Sequence, residues 1–325
     1  MITPLTLDEI RNAAGQLLGR IVATPVHRLA GPEVSRLLGP NTEVHLKLEL
    51  FQWTGTFKAR GALLNVLALS PEQLERGVTA ISAGNHAVAV AFAAASVGAS
   101  AKVVMISTAN PLRVALCKSY GAEIVFAPDA HAGFELVQRI AQDEGRPLIH
   151  PFDGRATVQG TATLGLELCE QIQTMDAVII PIGGGGLCAG VASAVKLCAP
   201  ACEVFGVEPE GADSMHRSFA AGEPRSIDRV ATIADSLGAP YALPLSFELC
   251  RRNVDELVLV TDEELRSAMR FLLRNAKLAV EPAGAAATAA LLGALRDRLR
   301  GRRVGVVVCG SNIDEASFAK LIANG

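Results

Sequence analysis

Short runs rich in β-branched residues alternate with helix-like segments between residues 77 and 209. The first predicted strands are Val78–Ser82, Ala101–Ile106 and Glu123–Phe126, and Leu112–Tyr120 is a predicted helix between the last two. Such alternation is typical of parallel βαβ units, because a parallel crossover needs about a dozen residues or more. The pattern therefore predicts an α/β fold of mostly parallel sheets flanked by helices, in which residues 77–150 form a small lobe.

The remaining segments are less regular, but some helix starts are clear. Two predicted helices begin with a capping box, in which a Thr and a Glu three residues later bond to each other's backbone N–H groups: Thr6 with Glu9, and Thr261 with Glu264. Residues 281–298 form one Ala-rich predicted helix. Residues 211–244 are predicted to be irregular, and a loop of that length is usually functional.

Composition and charge argue against several classes of protein. The 325 residues, half of them apolar, are ample for a large core. A net charge of −3 and an aromatic content of 4% indicate neither a basic patch nor a stacking surface for nucleic acid. No uncharged apolar run reaches membrane-spanning length, and residues 1–11 lack the apolar core of a signal peptide. Seven cysteines without a C-x-x-C pair favour free thiols in a reducing cytoplasm.

The first candidate for chemistry is Lys58, which follows a strand-like run at residues 44–50 and a polar turn. A helix-like segment begins at Ala59, so Lys58 is predicted to lie near a helix N-terminus. The positive end of the helix dipole disfavours an ammonium group, and an amine with a lowered pKa can form a Schiff base with a carbonyl. The alternative is a solvated lysine on a helix face, because a single motif is weak evidence.

A run of four glycines, Gly183, Gly184, Gly185 and Gly186, separates a buried predicted strand from a helix. Bare backbone amides at a helix N-terminus form an anion site that suits phosphate. The run lacks the Gly-Lys-Ser/Thr of a Walker loop and the third glycine of a dinucleotide fingerprint. Glu208 nevertheless lies where a ribose-binding acid would, so a nicotinamide site stays open, as does simple helix–strand packing.

Three other segments carry polar groups at predicted strand or helix ends. The turn Ser82-Ala-Gly-Asn85-His86 suits a carboxylate, or it simply caps the following helix. Cys309 ends the last predicted strand, where open α/β sheets bind ligands, although a buried structural thiol is the commoner role. Glu281 opens a helix, where the dipole stabilises an acid. An amine, a phosphate site and a carboxylate site together fit pyridoxal phosphate, an aldehyde and phosphate ester, with an amino-acid substrate.

These segments resemble those of the fold-type II pyridoxal-phosphate enzymes, in the threonine/serine dehydratase branch that includes serine racemase. The markers of the resemblance, which extends over nearly the whole chain, are Lys47-x-Glu49-x-x-Gln52-x-Thr54-Gly-Thr-Phe-Lys58-x-Arg60-Gly-Ala62, Ser82-Ala-Gly-Asn-His86, Gly183–Gly186, Thr232-Ile-Ala-Asp235, Glu281-Pro-Ala-Gly284 and Cys309-Gly-Ser-Asn312. The resemblance implies a two-lobed fold similar to the tryptophan synthase β subunit. Residues 1–76 and 151–325 are expected to form a large cofactor-binding domain, and residues 77–150 a small mobile domain.

The resemblance also implies roles for single residues. Lys58 resembles the Schiff-base lysine, which also removes the Cα proton, and Phe57 the residue that packs beside the cofactor. The other implied cofactor-binding positions are Asn85 at the 3-hydroxyl, Gly183–Gly186 at the phosphate, Glu281, and Cys309 as a neutral partner of the pyridine nitrogen. The implied substrate-binding residues, at the carboxylate, are Ser82, Asn85 and His86. A neutral nitrogen partner favours prompt loss of a β-substituent.

Three departures from the family pattern affect these expectations. Ala83 stands where racemases carry a second serine, so racemisation is expected to be poor. Glu208 and the Ala212 carbonyl match a family site for Mg²⁺ or Ca²⁺, but Ser214 replaces its second acid, which weakens the case for a bound cation. Ser236 replaces a glycine near the expected cofactor ring, with consequences for substrate choice.

The sequence thus predicts a cytoplasmic, pyridoxal-phosphate-dependent ammonia-lyase that converts an L-β-hydroxy amino acid to a 2-oxo acid and ammonia by β-elimination. Threonine and serine are the default substrates, and 3-hydroxyaspartate and bulkier β-hydroxy amino acids stay open. The rival hypotheses are a β-replacement enzyme, a racemase, a nicotinamide-dependent oxidoreductase and a catalytically silent binding protein. The family suggests a homodimer, and neither nucleic acid nor a membrane is an expected partner.

Overall fold

The computed structural model describes residues 2–323. Its strands are β1 (Val26–Leu29), β2 (Glu43–Leu48), β3 (Val78–Ile81), β4 (Ala101–Ile106), β5 (Glu123–Ala127), β6 (Ala177–Pro181), β7 (Glu203–Pro209), β8 (Glu256–Val260) and β9 (Arg303–Val308). Its α-helices are α1 (Leu7–Leu17), α2 (Pro32–Leu38), α3 (Lys58–Leu67), α4 (Pro71–Arg76), α5 (Asn85–Ala95), α6 (Pro111–Ser119), α7 (Ala130–Asp143), α8 (Arg155–Gln171), α9 (Gly186–Cys198), α10 (Ser214–Ala221), α11 (Pro244–Asn253), α12 (Asp262–Ala276), α13 (Pro282–Leu292) and α14 (Glu315–Ala323). Short 3₁₀ helices lie at Glu49–Phe51, Glu210–Ala212 and Asp235–Leu237.

Within the described residues, the strands form two separate sheets. The larger sheet has the order β1-β2-β9-β6-β7-β8, and the smaller has the order β3-β4-β5. Neighbouring strands are parallel except for β1 and β2, which pair antiparallel. The predicted α/β fold of mostly parallel sheets flanked by helices is confirmed. The smaller sheet is built entirely from residues 78–127.

Each sheet packs against an Ala-rich helix. Helix α13 contacts β6, β7, β8 and β9 of the larger sheet, and α5 contacts β3 and β4 of the smaller one. Small side chains let a helix lie close to a sheet, and residues 282–291 of α13 are all buried. These two helices begin at Asn85 and Pro282, so their N-termini carry the polar segments Ser82–His86 and Glu281–Gly284 to the same region. Among residues 2–323, no helix is both long enough and apolar enough to cross a bilayer.

An ion cluster, consisting of the buried Lys47, Glu49 and Arg60 and the half-buried Glu167, lies behind the turn that carries Lys58. The Arg60 guanidinium donates two hydrogen bonds of 2.8 Å to Glu49, from Nε and Nη2. Its Nη1 and Nη2 donate to the Glu167 carboxylate at 2.7 and 2.8 Å, and Nη1 also donates to Thr163 Oγ1 at 3.1 Å. These bonds occupy all five N–H groups of the guanidinium, so the charge is buried without an unpaired donor.

Lys47 completes the ion cluster from strand β2. Its Nζ donates to Glu167 Oε2 at 2.7 Å, to Gln171 Oε1 at 2.8 Å and to the Thr24 carbonyl oxygen at 2.7 Å. The cluster thereby joins β2 and the 3₁₀ helix after it to α3 and α8. Because these elements lie on both sides of the polar turn, the ion cluster sets the position of Lys58.

We expect Glu49→Gln to lower the free energy of unfolding by about 3–5 kcal/mol, the usual effect of removing one partner of a buried ion pair. The substitution keeps the size of the side chain but leaves Arg60 with one carboxylate instead of two. Denaturant unfolding of both proteins measures the difference. The control is Glu123→Gln, because the carboxylate of Glu123 pairs with Lys102 at an exposed site, where the loss should be less than about 1 kcal/mol. Equal stabilities of the two variants would contradict the prediction.

Candidate active site

A cavity of about 420 Å³ lies at the carboxyl ends of strands from both sheets. Its lining includes all the predicted cofactor and substrate residues: Phe57, Lys58, Ser82, Asn85, His86, Gly183, Gly184, Gly185, Gly186, Glu281 and Cys309. They come from the segments that follow β2, β3, β6 and β9, together with the start of α13. The carboxyl ends of parallel strands are where open α/β sheets bind ligands, so the topology itself brings these distant motifs together.

Lys58 is the first residue of α3, and its amine lies at the cavity. Its Nζ donates a hydrogen bond of 2.8 Å to the Pro151 carbonyl oxygen and lies 5.0 Å from the centre of the Phe57 ring. Burial lowers the pKa of Lys58 to about 8, and the nearby Glu281 carboxylate acts in the opposite direction. A large fraction of this amine is therefore neutral near pH 8, as a nucleophile or a base requires.

The glycine loop, residues 183–186, has no space for side chains. A Cβ atom on Gly184 would lie 2.1 Å from the Phe152 ring, and one on Gly186 would lie 2.3 Å from the Phe152 carbonyl oxygen. Gly185 has a φ of 92°, in the left-handed region that favours glycine. The loop leads into α9, whose first N–H groups have no partner within the helix. Bare N–H groups at the N-terminus of this helix fit a phosphate group.

Asn85 begins α5, and its amide is held from three sides. Its Oδ1 accepts a hydrogen bond of 2.9 Å from Asn312 Nδ2. Its Nδ2 donates to Glu281 Oε1 at 2.7 Å and to Ser236 Oγ at 3.1 Å. Burial raises the pKa of Glu281 to about 7, and the neighbouring Arg113 acts in the opposite direction. Asn85 and Glu281, which belong to separate sequence motifs, therefore form one hydrogen-bonded unit.

The turn at residues 82–86 contains a neutral imidazole. His86 is buried, and its Nε2 lies 2.8 Å from the Ile149 carbonyl oxygen. Burial lowers the pKa of His86 to about 3, so Nε2 carries a proton and donates to that carbonyl. Ser82 Oγ accepts the N–H of Gly84 at 3.0 Å. A carboxylate at this turn would therefore be bound by backbone N–H groups and the Ser82 hydroxyl rather than by an imidazolium, because the one N–H of the neutral His86 ring is already donated.

Cys309 is a buried thiol directly after β9. Its Sγ donates a hydrogen bond of 3.3 Å to the Ala283 carbonyl oxygen. Burial raises the pKa of Cys309 well above its ordinary value. The side chain at this end of the cavity is therefore uncharged at any pH at which the protein works.

Glu208, Ala212 and Ser214, the residues of the cation site that the resemblance implied, lie from the end of β7 to the start of α10. The Glu208 carboxylate accepts the N–H of Met215 at 2.8 Å and that of His216 at 2.7 Å, so it caps α10. Burial raises the pKa of Glu208 to about 8, and the hydrogen bonds from the Met215 and His216 N–H groups act in the opposite direction. Between residues 2 and 323, no group of three His, Cys, Asp or Glu side chains could hold a metal ion. The Ser214 hydroxyl oxygen is buried without a hydrogen-bond partner among the described residues, so a cation at this site stays a prediction.

Two residues of the cavity had no local signal in the sequence. Arg113 lies on α6 and pairs with Asp235 and Glu281. Phe134 lies on α7, lines the cavity and is 44% exposed. In the sequence, Arg113 resembles any helical surface cation, and Phe134 resembles an ordinary core position of an amphipathic helix. Only the fold brings them to the site.

Comparisons with known proteins agree on the family. The model of the family described as "Pyridoxal-phosphate dependent enzyme" matches residues 17–310. The phenylserine dehydratase of Ralstonia pickettii is 59% identical over 286 residues, 88% of either chain. The L-threonine ammonia-lyase of Thermotoga maritima is 36% identical over 325 residues, covering 99% of this chain and 79% of the relative. The structure of maize serine racemase superimposes with a TM-score of 0.92 at 33% identity, covering 99% of this chain and 98% of that one.

We expect Gly184→Ala to weaken the binding of pyridoxal phosphate by about tenfold or more, equivalent to at least ~1.4 kcal/mol. The added methyl group collides with the Phe152 ring, so the loop must move away from its position at the start of α9. Titration of the cofactor-free protein with pyridoxal phosphate, followed by absorbance, measures the affinity. Gly15→Ala is the control, because a Cβ on Gly15 meets no atom within 4 Å. Similar affinities of the two variants would contradict the role given to the loop.

Proposed function

This chain belongs to the pyridoxal-phosphate dependent enzymes and is an ammonia-lyase that acts on β-hydroxy amino acids by β-elimination, and we propose that its preferred substrate carries a large apolar group on Cβ. L-3-Phenylserine is the example, and its products are phenylpyruvate and ammonia. The observation that carries the proposal is the apolar lining of the cavity beyond the cofactor residues.

Outside the residues assigned to the cofactor and the carboxylate, apolar side chains dominate the cavity lining, among them Ile81, Phe134, Leu187, Val230, Pro240 and Tyr241. The cations of the lining are Lys58 and Arg113, and the Arg113 guanidinium already pairs with Asp235 and Glu281. No unpaired cation of the lining is left for a second carboxylate. This supports an apolar β-substituent over that of 3-hydroxyaspartate, and the identity to a phenylserine dehydratase supports the same choice.

For the cofactor, we assign the phosphate to the glycine loop and the 3-hydroxyl to Asn85, whose Oδ1 keeps one lone pair for it because both Nδ2 N–H groups are already donated. Phe57 would pack beside the cofactor ring, and Cys309 would supply a neutral partner for its ring nitrogen. Pyridoxal phosphate, when bound, supplies an aldehyde and an electron-withdrawing ring. Glu281 contributes through the hydrogen bond that it accepts from Asn85.

For the substrate, we assign Lys58 as the catalytic base that takes the Cα proton. Its lowered pKa provides the neutral amine, and the Pro151 carbonyl holds one of its N–H groups, which orients Nζ. The carboxylate is bound at Ser82, Asn85 and His86, where the N-terminus of α5 supplies N–H groups. Ala83 has no hydroxyl for reprotonating the opposite face of Cα, which disfavours racemisation.

Substrate competition tests the proposal. We expect kcat/KM for L-threo-3-phenylserine to exceed the values for L-threonine, L-serine and L-threo-3-hydroxyaspartate by about 10–100-fold, because burial of a large apolar side chain contributes ~1.5–3 kcal/mol. Formation of 2-oxo acid and ammonia measures the rates, and Lys58→Ala should form neither product. A faster rate with threonine would contradict the proposed preference. Formation of the D-isomer, or consumption of an added thiol, would favour the racemase or the β-replacement enzyme instead.

Phe134 provides a test of the apolar subsite. We expect Phe134→Ala to lower kcat/KM for phenylserine by about tenfold, because an aromatic pair contributes ~0.5–1.5 kcal/mol beyond the area that it buries. The rate with L-serine should change less than about twofold, since its β-carbon carries no group that could reach the ring. Phe126→Ala is the control, because the Phe126 ring is similarly exposed but lies outside the cavity. An equal loss for both substrates would contradict a specificity role.

We also propose a domain arrangement, an oligomeric state and a cellular location for the protein, as the family suggests. Residues 77–150 form a small domain that moves toward residues 1–76 and 151–325 when substrate binds, and solution scattering with and without a substrate analogue tests this movement. The chain forms a homodimer, which the mass from light scattering checks. Its seven cysteines are free thiols, which supports a cytoplasmic location, testable by fractionation of the source cells.

A further inference from the structure

Arg113 is a buried cation that connects α6, which packs on the smaller sheet, to segments that follow strands of the larger sheet. Its Nη1 donates to Asp235 Oδ2 at 2.5 Å. Its Nη2 lies 3.2 Å from Asp235 Oδ1 and 3.3 Å from both Ser236 Oγ and Glu281 Oε2. Its Nε donates to the Asn312 carbonyl oxygen at 3.3 Å. One guanidinium thus holds four residues that lie on the other side of the cavity.

Three of these four residues also hold Asn85. Ser236 and Glu281 each accept a hydrogen bond from Asn85 Nδ2, and Asn312 donates one to Asn85 Oδ1. The hydroxyl of Ser236 in turn donates to Asp235 Oδ1 at 3.2 Å, which directs its oxygen lone pairs toward the other two side chains. The orientation of the Asn85 amide therefore depends on partners that Arg113 keeps in place.

The positive charge of Arg113 changes the pKa of Glu281, the residue that accepts a hydrogen bond from Asn85. Glu281 is buried, and burial raises its pKa, whereas the guanidinium of Arg113 lowers it. The other titratable groups that face Glu281 are Asp235, which raises its pKa further, Lys58 and Cys309. Arg113 therefore favours the ionised carboxylate, the stronger acceptor for the Asn85 N–H.

We infer that Arg113 is a positioning residue that orients the Asn85 amide for the cofactor, through Ser236 and Asn312 and through the negative charge of Glu281. This role rests on the proposed function in one respect, namely that Asn85 contacts the cofactor. It also gives a purpose to Ser236, the serine that replaces the family glycine: its hydroxyl joins Arg113 to Asn85. Substrate preference does not enter the inference.

Cofactor titration of the cofactor-free protein tests the inference without any substrate. We expect Arg113→Met to weaken pyridoxal phosphate binding about tenfold relative to wild type at pH 7, since both the alignment and the charge of the Asn85 partners are lost. The difference in affinity between Arg113→Met and wild type should be smaller at pH 9. Without the Arg113 guanidinium the pKa of Glu281 is higher, so its carboxylate becomes negatively charged only at higher pH. The visible absorption maximum of the bound cofactor should shift with pH in this variant.

Matched variants separate charge from geometry. Arg113→Lys keeps the charge, so we expect a smaller loss, about threefold, that does not change with pH relative to wild type. Ser236→Gly should also weaken binding about threefold at every pH, because it removes one neutral acceptor of the Asn85 amide. Lys118→Met, an exposed cation on the same helix, is the control and should match wild type.

Two results would overturn the inference. One is an Arg113→Met protein that binds the cofactor as the Lys118→Met control does. The other is a loss for Arg113→Met that is the same at pH 7 and pH 9, which would indicate general damage to the fold. Thermal unfolding of the cofactor-free variants shows which of them fold. If Arg113→Met does not fold, Ser236→Gly decides, and an unchanged affinity in that variant would refute the connection to Asn85. Failure of the substrate proposal would leave all these affinities unchanged.

Discussion

The pairing of three buried charges with the half-buried Glu167 behind the lysine turn is the constraint on which the active site depends. A charge that leaves water costs several kcal/mol unless its hydrogen-bonding groups all find partners, and Arg60 and Lys47 meet that condition. Arg60 and Lys47 lie on α3 and β2, and their charged partners lie on α8 and on the 3₁₀ helix after β2, so a shift of any one of these elements would leave a buried charge unpaired. Lys58 lies two residues before Arg60. Its position therefore follows from ion pairs in which Lys58 itself takes no part.

Local patterns in the sequence are sufficient for those parts of the fold that depend on nearby residues. Both capping boxes are confirmed, because each needs only a Thr and a Glu three residues apart. Residues 211–244 are predicted to be irregular, and this is wrong for α10, whose cap is Glu208 on the preceding strand. The Ala-rich helix is predicted to reach residue 298, but it ends at Leu292, because Gly293 leaves helical geometry and glycine is a poor helix former. The missed start of α11 does have a local signal, a proline at its first position.

The residues of the candidate site likewise fall into those that local motifs predict and those that only the tertiary fold brings together. The glycine loop and the turn at residues 82–86 present backbone groups, and such segments can be recognised from short motifs because their geometry is local. Side chains that reach the site from distant elements cannot be recognised from short motifs. Glu167 completes the ion cluster from a position 107 residues after Arg60, and nothing around it distinguishes it from a surface acid. Glu208 is the converse case, since it matches a family motif for a cation while its surroundings make it a helix cap.

The groups around the cavity are paired less completely than the ion cluster, and this opposes folding near neutral pH. Burial raises the pKa of Glu281 from 4.5 to about 7, so the folded state gains stability from this proton at low pH and loses it as the pH rises toward 7. Burial lowers the pKa of Lys58 from 10.5 to about 8, so the folded state is fully penalised below pH 8 and is relieved only toward pH 10.5. Between about pH 7 and 8 both penalties are nearly complete. Glu281 and Lys58 therefore lower the stability of the folded state near neutral pH, and interactions elsewhere in the fold must compensate for this cost. The ion cluster, in which every donor of Arg60 and Lys47 is paired, provides such interactions directly behind the lysine turn.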